Sequence, residues 1–478
     1  MTRTHETSPE KDSNAERSAA DSPARELPGK FVTPIAFGTI LQPLNSSMIA
    51  VALVSIRDVF DAGTSVTWLV SALYLATAVA APAMGRIADV LGPRRTSLAG
   101  LLLVGITSAI APFAPNIATL VVCRILIGIG TAAQYPCGVA MIRRAADQLR
   151  ARPNNALAAI AVCSQVTAAL GPTLGGLLVG VFGWSGVFWV NVPLTLIGAL
   201  VIIWRGPADP PVQRGRGRLT ALRQIDPIGI VLFAAAITAL MFWLLSLADV
   251  PQWWWLAVAV PATALAAWWC LRVRDPFLDV RLLGKRALSF TYVRTIVTYT
   301  AFYCVFYGLP QWLEETRDLG PVGAGLVVLP ISAVGVVSTL LANRLQRRRS
   351  PRAALIAGTA ALCVGGLLLT VPRADSPILL LLLIAAVLGV PNGFNNIGNQ
   401  QAMYAVTPAE RMGAASGLYR TSQYVGANLA AALLALVIGD HADDIGLHHM
   451  GLSIAALAAI LLATSLFAAH RERRRPRS

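Results

Sequence analysis

The sequence predicts an all-α protein that crosses a membrane many times. Of its 478 residues, 55% are hydrophobic and only 13% are charged, whereas a soluble domain carries about 25% charged residues. Apolar stretches of about 20 residues, the length that a spanning helix needs, recur along almost the whole chain. The charges give a net +15 and cluster in particular loops. Together these observations indicate a polytopic membrane protein.

Fourteen apolar segments are long enough to span a bilayer. We number them segments 1 to 14. They cover roughly residues 33–56, 67–87, 96–114, 117–140, 155–181, 185–204, 227–247, 253–273, 288–312, 322–343, 353–371, 377–399, 412–439 and 450–469.

The basic residues predict the orientation of these segments. Most Arg and Lys residues lie in the loops after even-numbered segments, and the short alternate loops contain only Arg317 and Arg373. Cytoplasmic loops carry the excess of Arg and Lys, so both termini are expected in the cytoplasm. The expected location of the protein is the plasma (inner) membrane. An even number of segments requires the same arrangement of the termini. The +15 charge therefore reflects topology, and no nucleic acid partner is expected.

A weak internal repeat divides the chain into halves. The stretch SQVTAAL (164–170) resembles SQYVGAN (422–428), an offset of 422 − 164 = 258 residues, and Gly100 corresponds to Gly358 at the same offset. Two six-helix bundles that move about a central site are expected to show such a repeat. The predicted units are a disordered cytoplasmic tail (1–30), an N-terminal six-helix bundle (31–206), a cytoplasmic linker (207–224), two inserted transmembrane helices (225–275), a C-terminal six-helix bundle (276–470) and a basic cytoplasmic tail (471–478).

No cofactor or metal is indicated. The six cysteines lie in apolar segments without C-x-x-C or His-paired spacing, and no G-x-x-x-x-G-K-[ST] motif for ATP occurs. A cluster near residue 445 is a weak metal or pH-sensing signal, and a solvated loop is the favoured interpretation; it comprises His441, His448, His449, Asp440, Asp443 and Asp444.

The loop after segment 2 reads GRIADVLGPRR (85–95). Gly85 and Gly92 allow close helix approach and a tight turn. Asp89 precedes Arg94 and Arg95, so the acid can form a charge lock across the cytoplasmic mouth. The alternative is an ordinary basic loop with one incidental acid.

Two other segments carry unusual residues. Arg124 lies within apolar segment 4, in RILIGIG (124–130). A buried guanidinium is costly, so it faces a cavity or a partner, unless it snorkels to the surface. Segment 5 contains ALGPTLGG (169–176), where small residues and a proline favour a kink and a close helix seam: Gly171, Pro172, Gly175 and Gly176.

These motifs, with GWSGVFWVNVPL (183–194), resemble the major facilitator superfamily and within it the fourteen-helix drug:proton antiporters. The resemblance covers about residues 31–470. It implies that Arg124 lies near the path of substrate and proton, and that the segment 5 glycines form a seal that favours exchange. Plain helix packing would use the same glycines.

Segment 1 departs from the family pattern. In LNSSMIAVALV (44–54), Asn45 stands where the family commonly has Asp. An amide cannot titrate, and no other segment has a central acid. Proton coupling is therefore implied by the resemblance and not by the residues. Asn45 could bind a substrate or a neighbouring helix.

Segment 9 carries a tyrosine stripe. Tyr292, Tyr299, Tyr303 and Tyr307 recur at spacings of 7, 4 and 4, which places them on one helix face. They suit an amphipathic, partly aromatic substrate, or they form a hydrogen-bonded seam between helices. Arg294 lies close to the cytoplasmic end, where it snorkels or faces a cavity.

Segment 12 ends in PNGFNNIGNQQAMY (391–404), which is rich in amides. At 100° per residue, four amides share one arc: Asn392, Asn395, Asn396 and Asn399. Asn392 corresponds to Gln134 through the repeat offset. The amides are expected to line the inner half of a central cavity, or alternatively to lie at a helix end that is exposed to water. Gln400 and Gln401 are expected at the cytoplasmic surface, and Pro391 with Gly393 could break the helix.

The predicted function is export of amphipathic drugs or natural products by alternating access, and the resemblance implies that the export occurs in exchange for protons. The expected partners are a small-molecule substrate, protons and the bilayer, and a monomer is expected. A facilitator or differently coupled carrier of the same fold is the alternative. A membrane-embedded enzyme acting on lipid-linked substrates would need paired acids or a nucleophile with a base, and none is found, so the chain is not expected to be an enzyme.

Overall fold

A computed structural model describes residues 27–62, 66, 68–149, 151, 153–209, 224–247, 250–274, 276–278, 280–319, 321–348, 351–439 and 442–473. The described residues form helices joined by short connections and contain no strand. Most of the predicted N-terminal tail and linker, and the last part of the basic tail, lie outside them. So do Asp440 and His441.

The first half of the chain forms the helices α1 (Gly29–Thr39), α2 (Leu41–Phe60), α3 (Trp68–Leu91), α4 (Pro93–Ile110), α5 (Ile117–Ala132), α6 (Gln134–Leu149), α7 (Asn154–Phe182), α8 (Gly186–Trp189) and α9 (Asn191–Arg205). Segments 1, 4 and 6 are each divided into two helices, at Ile40, Ala133 and Val190.

The second half forms α10 (Pro227–Ser246), α11 (Trp253–Arg272), α12 (Val280–Leu283), α13 (Arg286–Glu315), α14 (Pro321–Arg348), α15 (Pro351–Leu368), α16 (Ile378–Val406), α17 (Met412–Val437) and α18 (Asp444–Arg473). Each predicted segment coincides with one helix or a consecutive pair. Among the described residues, nine helical stretches are long and apolar enough to cross a membrane by length and composition.

The helix α16 runs without interruption through the amide-rich stretch. It includes Pro391 and continues to Val406, so the predicted break at Pro391 and Gly393 is wrong. A Cβ added to Gly393 would lie 2.2 Å from the backbone nitrogen of Thr339 in α14. The missing side chain therefore lets two helix backbones touch, and this packing supports the helix where the proline removes a hydrogen bond.

The helices form two bundles. In the first half α2 packs on α7, α3 on α5 and α4 on α9; in the second half α16 packs on α14 and α15, and α13 on α17. Each half has its own buried apolar cluster. The halves meet along two seams: α17 packs against α3 and also contacts α6, and α14 packs against α7.

The helices α10 and α11 form a pair outside the two bundles. They pack on each other, and α10 also contacts α3 and α17. Asp226 anchors the pair: its carboxylate accepts hydrogen bonds from the backbone nitrogens of Gly229 (3.0 Å) and Phe277 (3.0 Å) and from Nε1 of Trp269 (2.9 Å). The inserted pair therefore lies against the α3–α17 seam.

Many large apolar side chains point away from the bundles. Leu177 in α7 is 64% exposed, Trp204 in α9 is 79% exposed and Leu436 in α17 is 75% exposed. An apolar surface of this extent is unfavourable in water. It is the surface expected of helices whose solvent is lipid.

Candidate functional site

The α3–α17 seam is a contact between backbones. A Cβ on Gly85 would lie 2.1 Å from the carbonyl oxygen of Gly413, and one on Gly413 would lie 2.4 Å from that of Gly85. Farther along, Gly417 approaches Ala81 in the same way, and Thr421 donates to the carbonyl of Ala78. We call the end of the molecule where α3 ends and α17 begins the basic end. The seam runs from there to the centre.

Asp89 joins the two halves at the basic end. Its carboxylate accepts hydrogen bonds from the backbone nitrogens of Gly413 and Ala414, both at 3.0 Å. These groups lie in the first turn of α17, where backbone nitrogens have no partner within the helix and negative charge is favourable. At the basic end, the contact between the halves is therefore made by a carboxylate that binds a helix N-terminus.

Arg94 and Arg95 are placed differently from what the charge lock requires. Their backbone nitrogens donate to Asp209 at 3.0 and 2.9 Å, and the Arg94 guanidinium donates to the carbonyl of Ile203 at 2.6 Å. Gly92 has a φ of +104°, which suits glycine. This part of the motif ties α4 to the end of α9 and does not reach Asp89. A lock between Asp89 and these arginines in another conformation stays a prediction.

The α7–α14 seam is made of amides and small residues. Asn343 Nδ2 donates to Asn155 Oδ1 (2.9 Å), and Gln165 Nε2 donates to Thr339 Oγ1 (2.9 Å). Asn392 Nδ2 in turn donates to Gln165 Oε1 (3.4 Å). This seam also runs from the basic end to the centre of the molecule.

A polar pocket lies between the halves at the centre. It is lined by Thr39, Gln42, Thr77, Thr131, Ala132, Gln134, Tyr135, Ser164 and Arg420. Arg420 belongs to α17, yet its guanidinium donates to Oε1 of Gln42 in α2. It also donates to Oε1 of Gln423 (2.7 Å) and lies over the rings of Tyr135 and Tyr424, 5.3 and 5.6 Å from their centroids.

Arg420 was not among the predicted site residues. An arginine within apolar segment 13 is visible in the sequence, but its contacts with Gln42 and Tyr135 depend on how distant segments pack. In the folded chain this is the guanidinium that the central pocket contains.

A second pocket lies within the C-terminal half and contains several predicted residues. Its lining combines aromatic and amide groups with apolar ones: Thr298, Tyr299, Ala301, Phe302, Val305, Ile331, Leu362, Leu388, Pro391, Asn392 and Asn396. Tyr303 lies 6.2 Å from Tyr299 and 5.6 Å from Tyr307 between ring centroids, so the predicted stripe is continuous. Tyr292 instead donates to the carbonyl of Ala415 (3.1 Å), which is a seam contact.

The other amides of α16 have different surroundings. Asn395 accepts from Thr359 Oγ1 (3.3 Å) and Asn399 accepts from Nε of Arg294 (2.5 Å); both amides are buried. Arg294 is only 5% exposed, so it does not snorkel. These two amides pack against α15 and α13 and are not among the residues that line either pocket.

Two glutamines also belong to the surroundings of the central pocket: Gln134 lines it, and Gln400 contacts Tyr135, which lines it. Gln134 Nε2 donates to the carbonyl of Ser97 (3.1 Å), and its Oε1 accepts from Ser97 Oγ (2.7 Å), while the side chain lines the central pocket. Gln400 is 2% exposed and donates to the hydroxyl of Tyr135 (2.5 Å) across the two halves. The expectation that Gln400 reaches the surface is therefore wrong, because helix packing between the halves covers it. Gln401 is half-buried.

Arg124 and Asn45 belong to one network in the N-terminal half. Arg124 is 1% exposed and donates to the carbonyls of Leu69 (2.9 Å) and Asn45 (3.3 Å), so it does not snorkel. Asn45 and Asn191 exchange hydrogen bonds of 2.8 and 2.9 Å between their side chains. Asn191, the asparagine of GWSGVFWVNVPL, is thus the neighbouring-helix partner of Asn45.

The segment 5 glycines bring α7 against α2. A Cβ on Gly171 would lie 1.7 Å from Oγ of Ser47, and one on Gly175 would lie 2.9 Å from the carbonyl oxygen of Met48. Gly176 is half-buried, and the side chain of Pro172 lies outside the described residues. The geometry is that of a close seam between two helices of the N-terminal half.

Comparisons with known proteins match this architecture. The sequence model of the Major Facilitator Superfamily matches residues 35–431. The chain is 36% identical over 442 residues to a Bacillus subtilis (strain 168) protein described as the uncharacterized MFS-type transporter YwoD, covering 92% of this chain and 97% of that one. It is 28% identical over 447 residues to the tetracenomycin C resistance and export protein of Streptomyces glaucescens, covering 89% of this chain and 79% of that one.

A solved structure shares the fold. The human organic anion transporter MFSD10 superposes with a TM-score of 0.63 at 14% sequence identity, covering 91% of this chain and 99% of that one. An identity this low is informative about the fold alone. The family match spans more than half of the sequence and agrees with two helical bundles around a central polar pocket. The chain therefore belongs to the Major Facilitator Superfamily, a family of membrane transporters and not of enzymes.

Proposed function

We propose that the protein exports amphipathic drugs or natural products across the plasma membrane by alternating access. The observation that carries the proposal is the central pocket between the two halves, with seams that run from it to the basic end. Rocking of the halves would open these seams and expose the pocket on the other side. The relative from Streptomyces glaucescens, whose name states resistance and export, supports the direction of transport.

We further propose fourteen membrane crossings with both termini in the cytoplasm. The basic end is then the cytoplasmic end, as the Arg and Lys distribution favours. In the conformation described here the pocket is closed toward the cytoplasm by the α3–α17 and α7–α14 seams. We propose that the unit of transport is one chain, because its two halves together form the pocket, with Arg420 of one half hydrogen-bonded to Gln42 of the other.

We propose that export is driven by proton exchange, with Asp89 as a group whose charge controls the seam. Its carboxylate is held by the first turn of α17. Protonation would remove the negative charge that this helix terminus stabilises, and the seam would loosen. The α2 position where the family commonly has a carboxylate is occupied by Asn45, whose amide is engaged with Asn191.

The test is efflux from cells loaded with a panel of amphipathic fluorescent dyes, with and without a protonophore. Expressing cells should export at least one dye faster than non-expressing cells, and the protonophore should abolish the difference. Export that persists with the protonophore would contradict proton exchange and favour a facilitator or differently coupled carrier, which Asn45 favours. Equal retention of every dye by both strains would contradict export.

A further inference from the structure

We infer that Arg420 selects amphipathic substrates that carry an anionic group, so that the preferred cargo is an aromatic acid and not a permanent cation. The inference rests on the proposed export function and concerns the same central pocket.

The position of Arg420 places a charge at the centre of the transport path. It follows the start of α17 at Met412 by eight residues, about 12 Å along a helix. The side chain is half-buried and lines the central pocket. It also joins the halves, because Gln42 lies in α2 and Tyr135 in α6.

Within the described part of the chain, the hydrogen bonds and ring contacts of the Arg420 guanidinium are all with uncharged groups. The guanidinium donates to two amide oxygens and faces two tyrosine rings. Charged side chains inside a membrane protein usually pair with an opposite charge or mark a substrate pathway. Among the residues that the structure describes, no carboxylate forms an ion pair with Arg420, so a bound anion is the partner that would complete the site.

The chemistry of the guanidinium favours a carboxylate. Its planar donors match the two oxygens of a carboxylate, and hydrogen bonds between charged groups are stronger than those to neutral amides. The carboxylate of an anionic substrate would replace the amide oxygens of Gln42 and Gln423 as the hydrogen-bond acceptors of Arg420. Since Gln42 belongs to the other half, the same exchange would remove one link between the halves.

The surroundings also suit an aromatic body. Tyr135 stacks on Tyr419 with ring centroids 6.4 Å apart, and Tyr424 lies 5.7 Å from Tyr74. Aromatic rings bury flat apolar groups well, and tyrosine keeps a polar end for the substituents of the ligand. An aromatic ring system with one acidic group has the chemistry that both parts of the site favour.

The internal repeat indicates that the fold itself does not require this charge. Gln423 corresponds to Gln165 at the offset of 258 residues, whereas Arg420 corresponds to Val162 (420 − 258 = 162). The N-terminal half thus forms the equivalent helix with an aliphatic residue. The guanidinium is a feature that only the C-terminal half adds at these paired positions.

The experiment compares fluorescein, an anionic xanthene dye, with rhodamine 123, a cationic dye with the same ring system. Cells that express the wild type, Arg420→Gln, Arg420→Lys or the exposed-loop control Arg373→Gln are loaded with each dye, and efflux is followed. The wild type and Arg373→Gln should export fluorescein faster than rhodamine 123. Arg420→Gln should lower fluorescein efflux by about tenfold or more, since a charge-assisted hydrogen bond is lost, and Arg420→Lys should retain part of it.

A binding measurement separates recognition from misfolding. The purified full-length variants are titrated against each dye by fluorescence anisotropy. Arg420→Gln should weaken fluorescein binding by about tenfold or more and leave rhodamine 123 binding unchanged. Wild-type export of rhodamine 123 without fluorescein would overturn the inference and leave export intact. An equal loss of both dyes in Arg420→Gln would also overturn it, and failure of the wild type to export any dye would overturn both proposals.

Discussion

At the scale of residues, the buried polar groups of this protein serve two different purposes. Arg124 and Asn45 hold helices of one half together through backbone carbonyls and the Asn191 amide. Arg420 and Gln400 instead cross between the halves. A residue of the first kind supports the fold in every conformation, whereas one of the second kind must exchange partners when the halves move.

The Asn45–Asn191 pair gives the first prediction. Asn45→Ala leaves the amide of Asn191 buried without its partner, so the unfolding free energy of the purified protein should fall by about 1–3 kcal/mol. Asn191→Ala should behave alike. The double variant should lose clearly less unfolding free energy than the sum of the losses in the two single variants. Denaturant unfolding in detergent measures this free energy for all three variants. Additive losses would mean that the two side chains do not interact.

At the scale of helices, glycine determines which pairs approach most closely. The α3–α17 and α2–α7 contacts both depend on glycines that leave no room for a Cβ. The helix break expected at Pro391 does not occur, because the same kind of contact holds α16 against α14. Close backbone contact is therefore used both within a half and between the halves.

Gly85 gives the prediction at this scale. In Gly85→Ala the new methyl group would lie 2.1 Å from the carbonyl oxygen of Gly413, so the basic end cannot close as described. Gly180→Ala in α7 is the matched control, because nothing lies within 4 Å of its Cβ position. Transport should be lost in the first variant and unchanged in the second.

Closure of the basic end can also be followed by crosslinking across the other seam, between α7 and α14. Cysteines placed at Asn155 and Asn343 should be joined by a short bismaleimide when the basic end is closed, because these side chains are in contact. Crosslinking should fall in the Gly85→Ala background and persist with Gly180→Ala. Undiminished crosslinking and transport in Gly85→Ala would contradict the close contact between Gly85 and Gly413.

The sequence predicted the helices better than the site. Apolar length is a local property, so each predicted segment coincides with one helix or with a consecutive pair of helices. Which side of a helix faces the other half depends on packing between residues hundreds of positions apart, as in Gln400 with Tyr135. For the same reason Asn392 and Asn396 line a pocket while Asn395 and Asn399 pack against α15 and α13. Arg420 was visible in the sequence, but its partners Gln42 and Tyr135 were not.

At the scale of the whole molecule, the proposed alternating access would need the Asp89 contact to form and break in every cycle. Asp89→Asn removes the negative charge and points an amide group toward one of the two α17 nitrogens, so the closed seam should be weakened. Turnover should fall while dye binding to the purified protein stays close to the wild type. Asp375→Asn, in an exposed loop, is the control. Wild-type turnover in Asp89→Asn would exclude a role for this carboxylate in closing the seam.

The position of the inserted pair has a consequence for molecules that dissolve in the bilayer. Because α10 lies against both α3 and α17, lipid is kept away from that boundary between the halves. The α7–α14 boundary on the other side is not covered by this pair. The two boundaries therefore differ for a hydrophobic compound that diffuses in the plane of the membrane, because the inserted pair blocks direct approach to one of them and leaves the other uncovered.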